Sequence, residues 1–212
     1  MNYIKDYIPK SKDKRPGTKI EPQWITIHNT ANSTSTARNE RNYLTNPLNT
    51  NYASWHIVVD EKEAIEAIPL DEVAYHAGNS TGNSTSIGIE VCESGNQTIV
   101  WQNAVSLVAK MLQERGWEIE RVRTHYSWSG KNCPRLILPR WNEFISDIQK
   151  ELLKLNGVKE PEKVLDEASE WAKTAQSWVK ENGVSDGTNP KGNVTREQMW
   201  QMIYDYDRKV KK

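Results

Sequence analysis

The sequence predicts an α/β fold, a central mixed β-sheet flanked by helices, followed by a small all-α C-terminal module. Three observations carry this. Short apolar runs bounded by Asn, Gly, Ser or Pro interleave with stretches of helical periodicity, the order of elements expected for a sheet covered by helices. Beyond Asn156-Gly157, where a helical stretch ends on a glycine and Lys159-Glu160-Pro161 follows, there is no strand signal, so a boundary divides residues 1–157 from 158–212. The 212 residues accommodate one core of ordinary size plus such an appendage.

In chain order, Trp24-Ile25-Thr26-Ile27 reads as the first strand, with His28 at its end. Thr34–Leu44 follows a Ser/Thr-rich cap region and reads as a helix. Trp55–Val59, Ala64–Ile68 and Ile87–Cys92 have strand composition. Trp101, Ala104, Val105, Val108 and Leu112 share one helix face, as do Trp141, Ile145, Ile148 and Leu152. Past the boundary, Leu165, Ala168, Trp171, Ala172, Ala175, Trp178 and Val179 form one apolar stripe ended by Asn182-Gly183. A last helix starts at Thr195, whose capping-box partner is Gln198, and runs through Met199, Met202, Ile203 and Tyr206. Periodicity is silent on strand order.

Composition narrows the function. Lys plus Arg number 28 and Asp plus Glu number 28, so no net field attracts nucleic acid, and none is expected as a partner. No run approaches the roughly 18 apolar residues of a membrane helix, and Met1 to Lys14 lacks the apolar stretch of a secretory signal. The expectation is a chain made in the cytoplasm with no membrane partner. Two cysteines, Cys92 and Cys133, are too few for a disulfide framework, which leaves a thiolate ligand open. Nine Trp and eight Tyr against one Phe make the aromatic content amphipathic, suited to packing and to binding sugars or peptides alike.

The chemistry must come from four histidines, the cysteines and nearby carboxylates. His28 at a strand end is, alone, more often structural than functional. His125 and Cys133 flank a turn-rich segment containing Ser129-Gly130, which lets both side chains face one point. Zinc accepts imidazole nitrogen and thiolate sulfur, and a catalytic zinc takes three protein ligands and a water. Spacing alone leaves an unrelated loop cysteine as an equal alternative. Glu90 lies opposite Ile89 and Val91 on its strand, either as a partnered buried group or as a solvated carboxylate on an edge. Cys92 reads as a small core residue.

Five separated motifs, Trp24-Ile25-Thr26-Ile27-His28-Asn29-Thr30, Ser54-Trp55-His56-Ile57-Val58-Val59-Asp60, Tyr75-His76-Ala77-Gly78, Ser86-Ile87-Gly88-Ile89-Glu90, and His125 with Lys131-Asn132-Cys133-Pro134, resemble the type 2 N-acetylmuramoyl-L-alanine amidases in order and spacing, and among them the phage endolysins. The resemblance covers about residues 20 to 145. It implies a zinc ion on His28, His125 and Cys133, Glu90 as catalytic acid/base, and Lys131 beside the metal stabilising negative charge. His56 and His76 stand where the family commonly has histidine and, with Trp55 beside the first, either line the substrate groove or support a ligand, with plain packing as the rival reading; Asn29 is expected to orient substrate or the zinc ligands. The implied reaction is hydrolysis of the amide between N-acetylmuramic acid and L-alanine in bacterial peptidoglycan, reached after the membrane is permeabilised. A host autolysin with the same chemistry and a non-catalytic peptidoglycan-binding protein on the same fold are the alternatives. Retention of Cys133 argues against the second, and the missing signal peptide against the first.

Residues 158–212 resemble, loosely, a single S-layer-homology-like wall-anchoring repeat, through Trp171-Ala172, Glu181 to Gly187, Asn189-Pro190-Lys191-Gly192 and Val194 to Gln198. One repeat does not easily bury its apolar face, so it is expected to dock or self-associate, with Trp178, Trp200, Tyr204 and Tyr206 as the surface for a wall polymer. Its 10 basic and 10 acidic residues offer no simple adhesion to an anionic wall.

Overall fold

The computed structural model describes residues 1–158, 168–188, 190 and 194–210, and the chain divides into two compact units, Met1–Val158 and Lys159–Lys212. In the first unit six strands, β1 (Asn2–Lys5), β2 (Trp24–Asn29), β3 (Ile57–Val59), β4 (Glu63–Glu66), β5 (Ser86–Val91) and β6 (Val122–Thr124), form one sheet in the order β1-β4-β3-β5-β2-β6. All neighbouring pairs are parallel except β3 with β4, so the sheet is mixed, as the sequence predicts. Strands β1 and β6 carry no sequence signal because three or four residues are too few to show alternation.

The helices are α1 (Ala37–Tyr43), α2 (Ser80–Thr85), α3 (Gln97–Arg115), α4 (Tyr126–Ser129) and α5 (Trp141–Leu155). Helix α1 starts later than Thr34 because Thr36 is its cap, its side chain accepting from the Asn39 N–H at 3.2 Å, while Asp60 accepts from the Ala37 N–H at 2.9 Å. Asn96 caps α3, and Gly116, at φ 61°, ends it in the left-handed conformation that costs glycine least.

One sheet face packs Ile25, Ile27, Ile57, Val59, Ile87 and Ile89 against Ala104, Val108 and Leu112 of α3 and Phe144 and Ile148 of α5. The other face carries a second core of Ile8, Leu44, Val58, Ile65 and Ile68 towards one side, and towards the other the polar residues Thr26, His28 and Glu90. Strands β3, β5, β2 and β6 run the same way, and in the β2/β5 register His28 stands opposite Glu90. The carboxyl ends of parallel strands are where α/β sheets open their crevices.

In the second unit α6 (Glu170–Glu181) and α7 (Arg196–Lys209) are the described helices, and the Thr195/Gln198 capping box is formed. Trp178 and Tyr206 bring their rings to 5.9 Å, and Gln176 donates to the Gly187 carbonyl at 2.6 Å. Trp171 departs from the expected stripe: it is 88% exposed. Leu165, Lys159-Glu160-Pro161, Asn189 and Lys191-Gly192 lie outside the described residues. Among the described residues no helix is long and apolar enough to cross a membrane.

Candidate active site

His28 is the fifth residue of β2, one step from the strand's end, with its side chain on the polar face. Strand β6 delivers His125 next to it: the His125 N–H donates to the Ile27 carbonyl at 3.2 Å, extending the ladder by one bond. The chain then makes the single turn of α4, reverses at Gly130 (φ 74°), and returns so that the Tyr126 N–H donates to the Cys133 carbonyl at 2.9 Å. The segment expected to be a loop is therefore a short helix and a turn, and it closes on itself. The result places His28 Nδ1 3.0 Å from His125 Nδ1 and 3.7 Å from Cys133 Sγ. All three donor atoms lie within 4.8 Å of one another, and all three residues are buried. Such a trio can hold a metal ion.

Burial sets the electrostatics. It pushes His28 well below the ordinary imidazole range and His125 down to about 4, the latter aided by the Lys131 ammonium. Both rings are neutral at pH 7, with lone pairs available for ligation. Burial raises the Cys133 thiol to about 11, opposed by a hydrogen bond from the Asn29 backbone N–H. Glu90 is raised to about 8 by burial first and by Glu40 second, against the pull of Lys131. Its Oε2 is sealed from solvent with no hydrogen-bond partner among the described residues. The carboxylate is thus not on an edge strand, since β5 lies between β3 and β2, and its Oε2 points away from solvent.

These groups open into a groove of about 450 Å³, lined by His28, Asn29, Trp55, His76, Glu90, His125, Lys131 and Cys133 among others. His56 takes the packing alternative, and Asn29 does more than border the groove. His56 is fully buried; its Nδ1 accepts from the Gly88 N–H at 2.9 Å and its Nε2 donates to the Glu72 carbonyl at 2.8 Å, so the ring lies behind His76 with both nitrogens engaged by backbone. Asn29 borders the groove, but its amide donates to the Val91 carbonyl at 3.2 Å and accepts from the Leu136 N–H at 3.0 Å. It pins the segment after Cys133 to the sheet. Arg135, paired with the buried Glu93, pins it a second time. Trp55 lines the groove with its indole N–H sealed and without a partner among the described residues.

Sequence reasoning missed Tyr52, Tyr75, Asn83 and Ser129 in the groove wall. Asn83 accepts from the backbone N–H groups of His76 and Ala77 at 2.9 and 2.8 Å and so holds the His76 segment in place. Asn79 caps α2, the helix that carries Asn83, and also donates to the Trp128 carbonyl at 2.7 Å. An asparagine at a cap is legible; one aimed at a distant backbone is not.

The family model for N-acetylmuramoyl-L-alanine amidase matches residues 17–136, which contain every groove residue named above. The chain is 43% identical over 151 residues to the N-acetylmuramoyl-L-alanine amidase CwlH of Bacillus subtilis, covering 68% of this chain and 60% of that protein. It is similar to the solved catalytic domain of XlyA of the same organism, with a TM-score of 0.66 and 40% identity over 70% of this chain and 99% of that one. A mutant endolysin from Bacillus subtilis matches with the same values. The chain spans about 60% of the length of the first curated relatives it matches. With the matched segment covering more than half of its residues and the fold shared with those catalytic domains, the chain belongs to the N-acetylmuramoyl-L-alanine amidase family.

Proposed function

We propose that this protein is a zinc-dependent hydrolase that cleaves the amide bond between N-acetylmuramic acid and L-alanine in bacterial peptidoglycan, acting as a phage-type endolysin. The observation that carries it is the convergence of His28 Nδ1, His125 Nδ1 and Cys133 Sγ at a groove that also holds Glu90. Two neutral imidazoles and one thiol are a donor set that zinc takes, and three protein ligands leave a position open. The amidase names of the Bacillus relatives and the endolysin match support the substrate and the role.

Zinc held by these three residues would supply Lewis acidity, making water more acidic and the amide carbonyl more electrophilic. The remaining work falls to the chain. Glu90 accepts a proton from the attacking water and passes it to the departing nitrogen, so the carbon–nitrogen bond breaks, with the lactyl carboxylate on the sugar and a free amine on L-alanine. Burial raises the Glu90 carboxyl, and a zinc ion held beside it would favour the carboxylate form that accepts the proton. Lys131 places an ammonium beside the site, where oxyanion charge develops. Trp55 and His76 wall the groove.

Digestion of purified cell walls tests this. New L-alanine amino termini are expected without new reducing sugars; reducing ends would mean a glycosidase and would sink the reading. Chelation should abolish lysis and zinc restore it, and Cys133→Ser should lose metal because a hydroxyl replaces a thiolate. Unchanged zinc content in that variant would show the ligand set to be wrong.

Residues 1–157 are proposed as the catalytic domain and 158–212 as a wall-binding module. Supporting the latter, Trp200, Tyr204, Ile203 and Met199 on α7 are all about half exposed or more, an apolar surface of the kind that marks interaction sites. A chain truncated after Asn156 should cleave soluble muropeptides normally but bind and lyse intact cells poorly. If it sediments with walls as well as the full chain does, the module packs or dimerises instead.

A further inference from the structure

All four histidines of the chain gather around the proposed metal position, and two of them, His28 and His125, are proposed ligands. His76 has no such role, yet it is buried and engaged on both nitrogens. Its Nε2 lies 3.2 Å from the Ser86 carbonyl, and its Nδ1 lies 3.0 Å from His28 Nε2. A carbonyl oxygen only accepts, so His76 Nε2 carries the proton. The neutral ring then offers Nδ1 as an acceptor, and His28 Nε2 must be the donor. That leaves His28 Nδ1 without a proton, facing His125 and Cys133.

A second feature is built around the same ring. A Cβ on Gly88 would lie 2.5 Å from His76 Cγ, so β5 carries a residue without a side chain where the ring passes. The Gly88 N–H is meanwhile committed to His56, whose ring packs edge-on to His76 with centroids 5.6 Å apart. The ring of His76 therefore has one seat.

We propose that His76 is a positioning residue for the metal: through the relay from the Ser86 carbonyl to His76 to His28, it fixes the tautomer and orientation in which His28 presents Nδ1 to zinc. The inference rests on the zinc reading above. A partner behind a metal-bound imidazole raises ligand affinity, and its loss typically costs 10- to 100-fold.

The test measures the zinc dissociation constant of the full chain by chelator competition. His76→Leu fills the seat without an acceptor and should weaken zinc binding about 10- to 100-fold. His76→Asn, whose carbonyl oxygen can stand where Nδ1 does, should recover most of that loss. In the zinc-loaded wild type, nitrogen-15 NMR should find His28 bound through Nδ1, with its Nε2 proton slow to exchange; in His76→Leu that proton should exchange quickly. Zinc binding by His76→Leu as tight as wild type overturns the relay and leaves the zinc site standing. A wild-type chain that binds no zinc overturns both. Should His76→Leu fail to fold, the wild-type spectrum decides: His28 bound through Nε2, or a rapidly exchanging Nε2 proton, overturns the proposal.

Discussion

The two faces of the central sheet are drawn from the same strands, yet they are built on opposite terms. On one, Ile25, Ile27, Ile87 and Ile89 meet α3 and α5 in a core where burial itself is the gain. On the other, the residues between them, Thr26, His28 and Glu90 with Gly88, place polar groups out of water, and each must be satisfied or carry a cost. Thr26 donates to the Ser86 hydroxyl at 2.8 Å and accepts from the Trp128 indole at 2.9 Å; His28 and His76 satisfy each other at 3.0 Å. Glu90 Oε2 stays unpaired among the described residues. The apolar face stabilises, and the rigidity it gives lets the other face hold groups that do not stabilise. A carboxyl oxygen sealed without a partner is a candidate for chemistry rather than for stability.

Breaking the polar face at Glu90 should have the largest effect. Glu90→Gln keeps shape but cannot accept a proton, so turnover on muropeptide should fall by roughly 10² to 10⁴ while zinc content is unchanged. Urea unfolding should show equal or slightly higher stability, because a desolvated carboxyl is gone. Near-normal turnover would remove Glu90 from the chemistry.

The apolar face should answer in the opposite way. Phe144, fully buried and edge-on to Trp101 with ring centroids 5.0 Å apart, fills the layer between α5 and α3. Phe144→Ala should cost about 3–5 kcal/mol in urea unfolding, with turnover per folded molecule near wild type. A matching loss of turnover below the unfolding transition would show that the faces are not separable.

A smaller effect lies at the support of the polar face. Arg15 donates to the Glu72 carboxylate at 2.7 Å through Nε and to the Ile8 carbonyl at 2.7 Å, and the Glu72 backbone carbonyl is the one that holds His56. The Arg15 hydrogen bond keeps the Glu72 carboxyl below its ordinary range. Its contribution is therefore present above the unfolded pKa of about 4.3 and lost as pH falls through the lower folded value. Glu72→Gln should cost about 2 kcal/mol at pH 7, and the gap to wild type should close as the pH falls below the ordinary carboxylate range. A gap independent of pH would mean that the ion pair is not its source.

Much of this was legible from local pattern. The four strands expected between Trp24 and Cys92 are present within two residues at each end, and the faces read as Trp101 to Leu112 and Trp141 to Leu152 lie inside the helices α3 and α5. What local pattern left open shares a cause. His56 and His76 each stand in motifs of the same kind, but only the packing of β3 against β5 puts one behind the groove and the other in its wall. Asn29 is next to a proposed ligand, and only the return of the chain at Leu136 shows that its amide is spent on backbone. Trp171 fits an apolar stripe by spacing, yet nothing in spacing says which residues of a helix meet a partner.

The sequence by itself determined the alternation of the strands, the capping box at Thr195, and the residue types available for chemistry, because each depends on neighbours a few positions away. Only the tertiary structure decided which of those residues meet. His28 lies 97 positions from His125 and 105 from Cys133, and they converge because β6 pairs with β2 and α4 turns the chain back. Strand order sets that meeting, and strand order follows from packing the whole apolar face at once, which no local window of residues contains.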